Sequence, residues 1–111
     1  MLIQEQRQGA VTVVKPSGPL TGSDADELRA RLVEVQKASL GRLVLDLSQI
    51  PFIDSRGLET LLDVTDGLAQ SGQSLKLCSL NDTLREVLEL TELAPLFEHF
   101  EDVNQAVRSF L

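Results

Sequence analysis

The sequence has 111 residues, of which 42% are apolar and 24% charged, and this balance predicts one folded domain over residues 1–111 rather than a disordered chain. The formal net charge is −7, and the ten lysine and arginine residues are scattered without a run or stripe. This distribution argues against nucleic acid or an anionic membrane surface as the partner, and it favours a protein with a basic face.

The N-terminal stretch MLIQEQRQG lacks the basic region and long apolar run of a signal peptide. No apolar run approaches the ~20 residues that cross a bilayer. We therefore expect a cytoplasmic protein without direct membrane insertion. The single cysteine excludes an internal disulfide.

The first part of the chain is predicted to form two strands and a helix. Residues 2–6 and 10–15 have the β-branched and alternating composition of strands on either side of a turn. A stretch rich in proline and glycine then breaks the chain. The helix is expected to begin with the hydroxyl of Ser23 as its cap and to end at Gly41. Its predicted apolar stripe consists of Ala25, Leu28, Leu32 and Val35.

Three strand–helix units are predicted in the rest of the chain. The strands are expected at residues 43–47, 74–79 and 96–100, where apolar residues predominate. The three helices are expected to follow caps at Ser55, Asn81 and Asp102, and Gln105 would complete a capping box with Asp102. The first of these helices has a face shared by Leu58, Leu61, Leu62, Thr65, Leu68 and Ala69.

The resulting order, ββαβαβαβα, predicts an α/β fold with a mixed, mostly parallel sheet of about five strands and four helices. Functional residues of such sheets tend to lie outside the carboxyl ends of the strands. The loop at residues 17–23 and the turn at residues 54–57 both follow predicted strands. These two segments are therefore the candidate site.

Ser55 is the first candidate for chemistry, but the pattern argues against a nucleophilic hydrolase. Such a serine passes its proton to a base, and the only histidine, His99, falls in the last predicted strand. The Gly-x-Ser-x-Gly turn is also missing, since Ile53 stands two residues before Ser55. Neither a metal-ligand cluster nor a Walker-type phosphate loop occurs, so no cofactor is expected. Cys78 is interpreted as a small core residue.

Two interpretations of Ser55 remain from the residues alone. In the first, its hydroxyl only caps the helix, for which serine is a preferred residue. In the second, the exposed hydroxyl accepts a phosphate from a kinase. A phosphate there would add ~1.5 to 2 negative charges beside free backbone N–H groups, where the helix dipole favours them. Such a site would change a binding surface without unfolding the domain.

The segment LVLDLSQIPFIDSRGLETLL resembles the signature of STAS domains, in particular of bacterial anti-sigma factor antagonists. The resemblance extends to the turn Gly18-Pro19-Leu20 before the first helix and to LREVLELTELAPLFEHFEDVNQAV near the end of the sequence. It therefore covers nearly the whole chain. The family commonly has serine or threonine where Arg56 stands, and an acidic residue where Thr21 stands.

The resemblance implies a non-enzymatic domain that binds an anti-sigma factor, which is itself a serine kinase. It further implies that phosphorylation of Ser55 blocks this binding and that a phosphatase restores it. The residues expected to contact the partner are Thr21, Asp24, Asp54, Ser55, Arg56, Gly57 and Glu59.

Two alternatives within the STAS resemblance use the same helix face without phosphorylation. One is a cytosolic accessory subunit of a lipid-transport ABC system, which would dock on an ATPase. The other is a signalling scaffold of the stressosome type, which would form stable higher oligomers. Co-purification with an ATPase rather than a kinase would distinguish the first of these from an anti-sigma factor antagonist.

Overall fold

The structure is a computed structural model that describes residues 1–111. It contains five strands, four α-helices and one short 3-10 helix. In chain order these are β1 (Leu2–Gln8), β2 (Val11–Ser17), α1 (Gly22–Ala38), β3 (Leu43–Asp46), α2 (Ser55–Ala69), β4 (Lys76–Cys78), α3 (Asp82–Leu90), the 3-10 helix (Ala94–Leu96), β5 (Glu98–Phe100) and α4 (Val103–Arg108).

The five strands form one sheet in the order β1-β2-β3-β4-β5. Strand β1 is antiparallel to β2, and every later pair is parallel. The mixed, mostly parallel sheet and the element order predicted from the sequence are both confirmed. No helix combines the length and apolar character that a bilayer crossing requires.

The two faces of the sheet are covered unequally, because side chains of a strand alternate between its faces. In β3, Leu43 and Leu45 join the larger core beneath α1, α2 and α3, whereas Val44 joins a smaller core beneath α4. Helix α4 has six residues, so part of that second face is left open. The three longer helices therefore all lie on one side of the sheet.

Lys76 in β4 is the charged residue that secures α4 to the sheet. Its side chain is almost completely buried, and its ammonium nitrogen lies 4.3 Å from the ring centre of Phe110. The ammonium group also donates to the hydroxyl of Ser109 at 2.7 Å and lies 3.3 Å from a carboxylate oxygen of Glu98. The cation–π contact with Phe110 and the hydrogen bonds to Ser109 and Glu98 together compensate the cost of burying the Lys76 ammonium group.

Several boundaries differ from the sequence prediction because tertiary contacts decide them. Helix α1 begins at Gly22 with Thr21 as its N-cap, so the predicted cap at Ser23 is wrong. On the predicted apolar face of α2, Ala69 is exposed, whereas Val64, which the prediction did not include, is buried. Asn81 and Asp102 do cap their helices as predicted. The side chain of Gln105 accepts from the N–H of the residue before Asp102, so the reciprocal half of the capping box is displaced by one residue.

Candidate functional site

The predicted site lies where the loops after β2 and β3 meet. Leu20 and Ile53 form an isolated parallel bridge beyond the two strands. The N–H of Leu20 donates to the carbonyl of Phe52 at 3.0 Å, and the N–H of Asp54 donates to the carbonyl of Leu20 at 3.3 Å. This short extension of the sheet sets the starts of α1 and α2 side by side, so the two segments predicted from the sequence do come together.

Asp54 connects the N-termini of both helices through one carboxylate. Its Oδ1 accepts from the N–H of Gly57 at 2.9 Å and caps α2. Its Oδ2 accepts from the N–H of Gly22, at the start of α1, at 3.1 Å. The bond from Gly57, the bond from Gly22 and the nearby charge of Arg56 hold the pKa of Asp54 below its usual value, against partial burial.

Ser55 is the first residue of α2 and follows the cap, so the predicted hydroxyl cap at Ser55 is wrong. Asp54 takes that role because its carboxylate reaches the Gly57 N–H and also accepts a second, distant N–H. The side chain of Ser55 is exposed and makes no hydrogen bond within the chain. Its hydroxyl therefore stands at the positive end of the α2 dipole, open to solvent.

Gly57 is required by the close approach of α2 to the loop before α1. A Cβ at this buried position would lie 2.4 Å from the carbonyl oxygen of Leu20 and 2.4 Å from Cγ1 of Ile53. A backbone oxygen held in the bridge cannot move aside cheaply. The glycine in the Asp-Ser-x-Gly turn thus has a packing reason that is independent of any partner.

Two polar contacts cross between α1 and α2 near the site. Arg56 forms an ion pair with Asp26, and both side chains are about half exposed. One turn further, the buried hydroxyl of Thr60 donates to the carbonyl of Ala25 at 3.0 Å. The two helix starts are therefore held together by Asp54, by Arg56 and by Thr60.

The remaining predicted contact residues surround this core. Thr21 is half-buried as the N-cap of α1, and Glu59 is exposed one helical turn beyond Ser55. The carboxylate of Asp24 lies 3.4 Å from the amino group of Met1. Phe52 is 50% exposed at the rim of the site and was not among the residues expected there from the sequence. An aromatic residue two positions before the Asp-Ser turn was the signal that could have identified it.

His99 lies away from this site, in the edge strand β5. Its Nε2 is 2.6 Å from the carbonyl oxygen of Ala94. The prediction of a partly exposed edge residue is confirmed, as is the prediction that Cys78 is buried. No group of three or more histidine, cysteine, aspartate or glutamate side chains is arranged to hold a metal ion.

Fold and site together define an α/β domain that presents two adjoining helix N-termini and an exposed serine at one end of its sheet. The sequence matches the STAS domain family over residues 3–106, and the chain belongs to this family.

Individual relatives agree with this assignment. BtrV of Bordetella bronchiseptica, described as an anti-sigma factor antagonist, is 34% identical over 93 residues, which are 84% of this chain and 80% of BtrV. A Thermotoga maritima protein of the same description has a TM-score of 0.88 at 20% identity, with 96% of this chain and 92% of that protein covered. The phosphorylated form of SpoIIAA from Bacillus has a TM-score of 0.73 at 18% identity, with 99% and 100% covered. At these identities the two structures establish the shared fold.

Proposed function

We propose that this protein is an anti-sigma factor antagonist that binds an anti-sigma factor with serine kinase activity and is released when Ser55 is phosphorylated. The exposed hydroxyl of Ser55, directly after the Asp54 cap, is the observation that carries the proposal. The names of BtrV and SpoIIAA as anti-sigma factor antagonists support the binding function. The existence of a phosphorylated form of SpoIIAA supports the switch.

The partner would contact a docking face made of the starts of α1 and α2, which comprises Thr21, Asp24, Asp54, Ser55, Arg56, Gly57 and Glu59. Acidic side chains predominate on this surface, in keeping with the net charge of −7. A basic surface on the partner complements such a face and accelerates the encounter. Phe52 at its rim adds an apolar anchor of the kind that is common in protein interfaces.

In the kinase reaction, the γ-phosphoryl group of ATP would move to Oγ of Ser55 while the hydroxyl proton passes to a base of the kinase and ADP departs. The partner supplies ATP and the base, so this chain is a substrate and a binding protein rather than an enzyme. The product places ~1.5 to 2 negative charges at the α2 N-terminus, where the fold accommodates them. A phosphatase would remove the group and restore binding.

Arg56 gives the switch a second component. In the unmodified protein its guanidinium pairs with Asp26 of α1. A phosphate on Ser55 would compete for the same guanidinium and offer it more negative charge. Release of Asp26 would then alter the charge pattern of α1 as well as that of α2.

Incubation with the cognate anti-sigma kinase and ATP tests this function. We expect one phosphate per chain on Ser55, detected by mass spectrometry, and an affinity of the modified protein for the kinase at least about tenfold lower. Ser55→Ala should abolish the modification. Ser23→Ala is the matched control, because Ser23 is also exposed in the first turn of a helix.

Two results would contradict the proposal. Phosphate on the Ser55→Ala variant would remove the site assignment. Co-purification with a transport ATPase, without a kinase in the complex, would indicate an accessory subunit instead of an anti-sigma factor antagonist.

A further inference from the structure

Strand β1 is a long edge strand whose only protection against pairing is the charge of Glu5 and Arg7. It has seven residues, and its pairing with β2 is continuous from Leu2 opposite Ser17 to Gln8 opposite Val11, without a bulge. It contains no proline and no lysine, and no other strand or helix lies beyond it in the sheet. A proline, a lysine, a bulge or a covering element normally protects an edge strand, because the free N–H and C=O groups of the strand can otherwise pair with another strand.

The other edge of the sheet differs. Strand β5 has three residues, too few for an extended pairing. Of the two edges of the sheet, β1 is therefore the one long enough to accept another strand.

The side chains of β1 alternate between the two faces of the sheet. Ile3 packs on the larger core, and Glu5 pairs with Arg31 of α1, so Ile3, Glu5 and Arg7 point to the side of the three long helices. The glutamines at positions 4, 6 and 8 point to the opposite side. Arg7 is exposed and forms no ion pair within the chain.

This pattern is complementary to itself. If two β1 strands pair antiparallel around a two-fold axis at Gln6, Glu5 of each copy lies directly opposite Arg7 of the other. The adjacent registers that keep the faces aligned place Glu5 opposite Glu5 or Arg7 opposite Arg7. Opposite charges stabilise directly facing pairs and like charges destabilise them, so charge selects the register centred on Gln6.

We propose that two copies of this chain associate through β1 in that register and form one continuous sheet. Each Glu5 then lies between its own Arg31 and the partner's Arg7. Because the strands run antiparallel, the two docking faces lie at opposite ends of the joined sheet and point in opposite directions. The dimer is therefore bivalent, and its formation does not depend on the function proposed for Ser55.

Sedimentation equilibrium of charge variants tests the pairing. The wild-type chain should form a concentration-dependent dimer, and Arg7→Glu and Glu5→Arg should each weaken it about tenfold, because each replaces two attractive pairs by two repulsive ones. An equimolar mixture of the two variants should restore association, since one variant then carries glutamate and the other arginine at both positions, and every facing pair is again of opposite charge. Arg85→Glu, the same charge change on the exposed side of α3, should leave the dimer unchanged.

Cysteine cross-linking tests the register separately. A cysteine at position 6 would face the same position of the other copy at a Cα separation of about 4.5 to 5.5 Å, within disulfide range, and the native Cys78 is buried. Gln6→Cys should therefore give a disulfide-linked dimer on mild oxidation. Gln4→Cys should not, because it faces position 8 of the other copy and lies about 13 Å from its counterpart.

A wild-type chain that is monomeric at ~1 mM would overturn the proposal. So would a dimer that tolerates Arg7→Glu, or variants that fail to associate with each other. Equal cross-linking at positions 4 and 6 would exclude this register.

Discussion

At the scale of single residues, the carboxylate of Asp54 is the group on which the site depends. It accepts one hydrogen bond from within α2 and one from the start of α1, 32 residues away in the sequence. Backbone N–H donors at both oxygens favour the ionised form, which explains the lowered pKa. The protein therefore uses a charged cap whose two separate oxygens each accept from a different helix start.

Replacement of Asp54 by asparagine should keep the hydrogen bond from Gly57 and remove the one from Gly22. The amide oxygen can still accept from Gly57, but the NH₂ group cannot accept from Gly22. We expect the melting temperature to fall by a few degrees at pH 7. Asp102→Asn is the matched control, because Asp102 caps α4 through a single bond to Gln105 and asparagine is an equally good cap. An equal loss in both variants would contradict the role of the second bond.

The lowered pKa of Asp54 also predicts a dependence on pH. The carboxylate is ionised in both states above its ordinary pKa of 3.8, so its stabilising effect is complete there. As pH falls below this value, the unfolded chain takes up the proton first, and the stabilisation disappears as pH passes the lower pKa of the folded state. The difference in melting temperature between wild type and Asp54→Asn should therefore narrow in acid. A constant difference from pH 7 to pH 2 would contradict this cause.

At the scale of elements, α2 shows what the sequence could and could not predict. Its position after a buried strand and its apolar stripe follow from local periodicity, and the structure confirms both. Its cap was predicted wrongly, because Ser55 and Asp54 are both good N-cap residues. Asp54 also accepts from the N–H of Gly22, which is 32 residues away in the sequence, so no local pattern could favour Asp54 over Ser55.

The ion pair between Arg56 and Asp26 could not be predicted for the same reason. No local pattern relates two residues that are 30 positions apart. The predicted Ser23 cap failed similarly, since the first N–H of α1 is satisfied across the site. Sequence reasoning therefore predicted the two neighbouring loops and the serine at the start of α2, whereas the contacts between the two helices required the structure.

Two glycines in α2 give a matched test of how this helix packs. Gly57→Ala should destabilise the fold by about 1–3 kcal/mol, because its Cβ would collide with the Leu20 carbonyl oxygen. Gly67→Ala should instead stabilise it by about 1 kcal/mol, since alanine is the better helix former and its Cβ meets only the movable end of Gln36 at 3.3 Å. Urea unfolding of both variants measures the difference. A Gly57→Ala protein as stable as wild type would contradict the close approach.

At the scale of the whole molecule, Cys78 reports on the integrity of the entire sheet. It lies on β4, between β3 and β5, and is fully buried in the smaller core. Burial, together with the nearby carboxylate of Asp46, raises the pKa of its thiol to about 11. The thiol is therefore both inaccessible and protonated at neutral pH, and it should react only when the surrounding structure opens.

Thiol labelling of the native protein at pH 8 should accordingly be roughly 10³-fold or more slower than labelling of the unfolded chain. The Gln6→Cys variant, reduced and diluted until the chain is monomeric, supplies the internal comparison, because its added thiol is then on an exposed strand and should react at once. Moderate urea should accelerate only the slow labelling of Cys78 and leave the labelling of the thiol at position 6 unchanged. Rapid labelling of Cys78 in the native protein would show that β5 or α4 opens independently of the rest.

The bridge made by Asp54 has a consequence for the thermodynamics of association. Ordering a flexible side chain at an interface costs about 0.5–1.5 kcal/mol, and ordering loops adds to this. Because one carboxylate already holds the backbone of both helix starts in place, the ordering cost of these two segments is met during folding. Under the proposed function, a partner would therefore meet helix starts that are already ordered, and a phosphate on Ser55 would act through its charge rather than by rearranging the backbone.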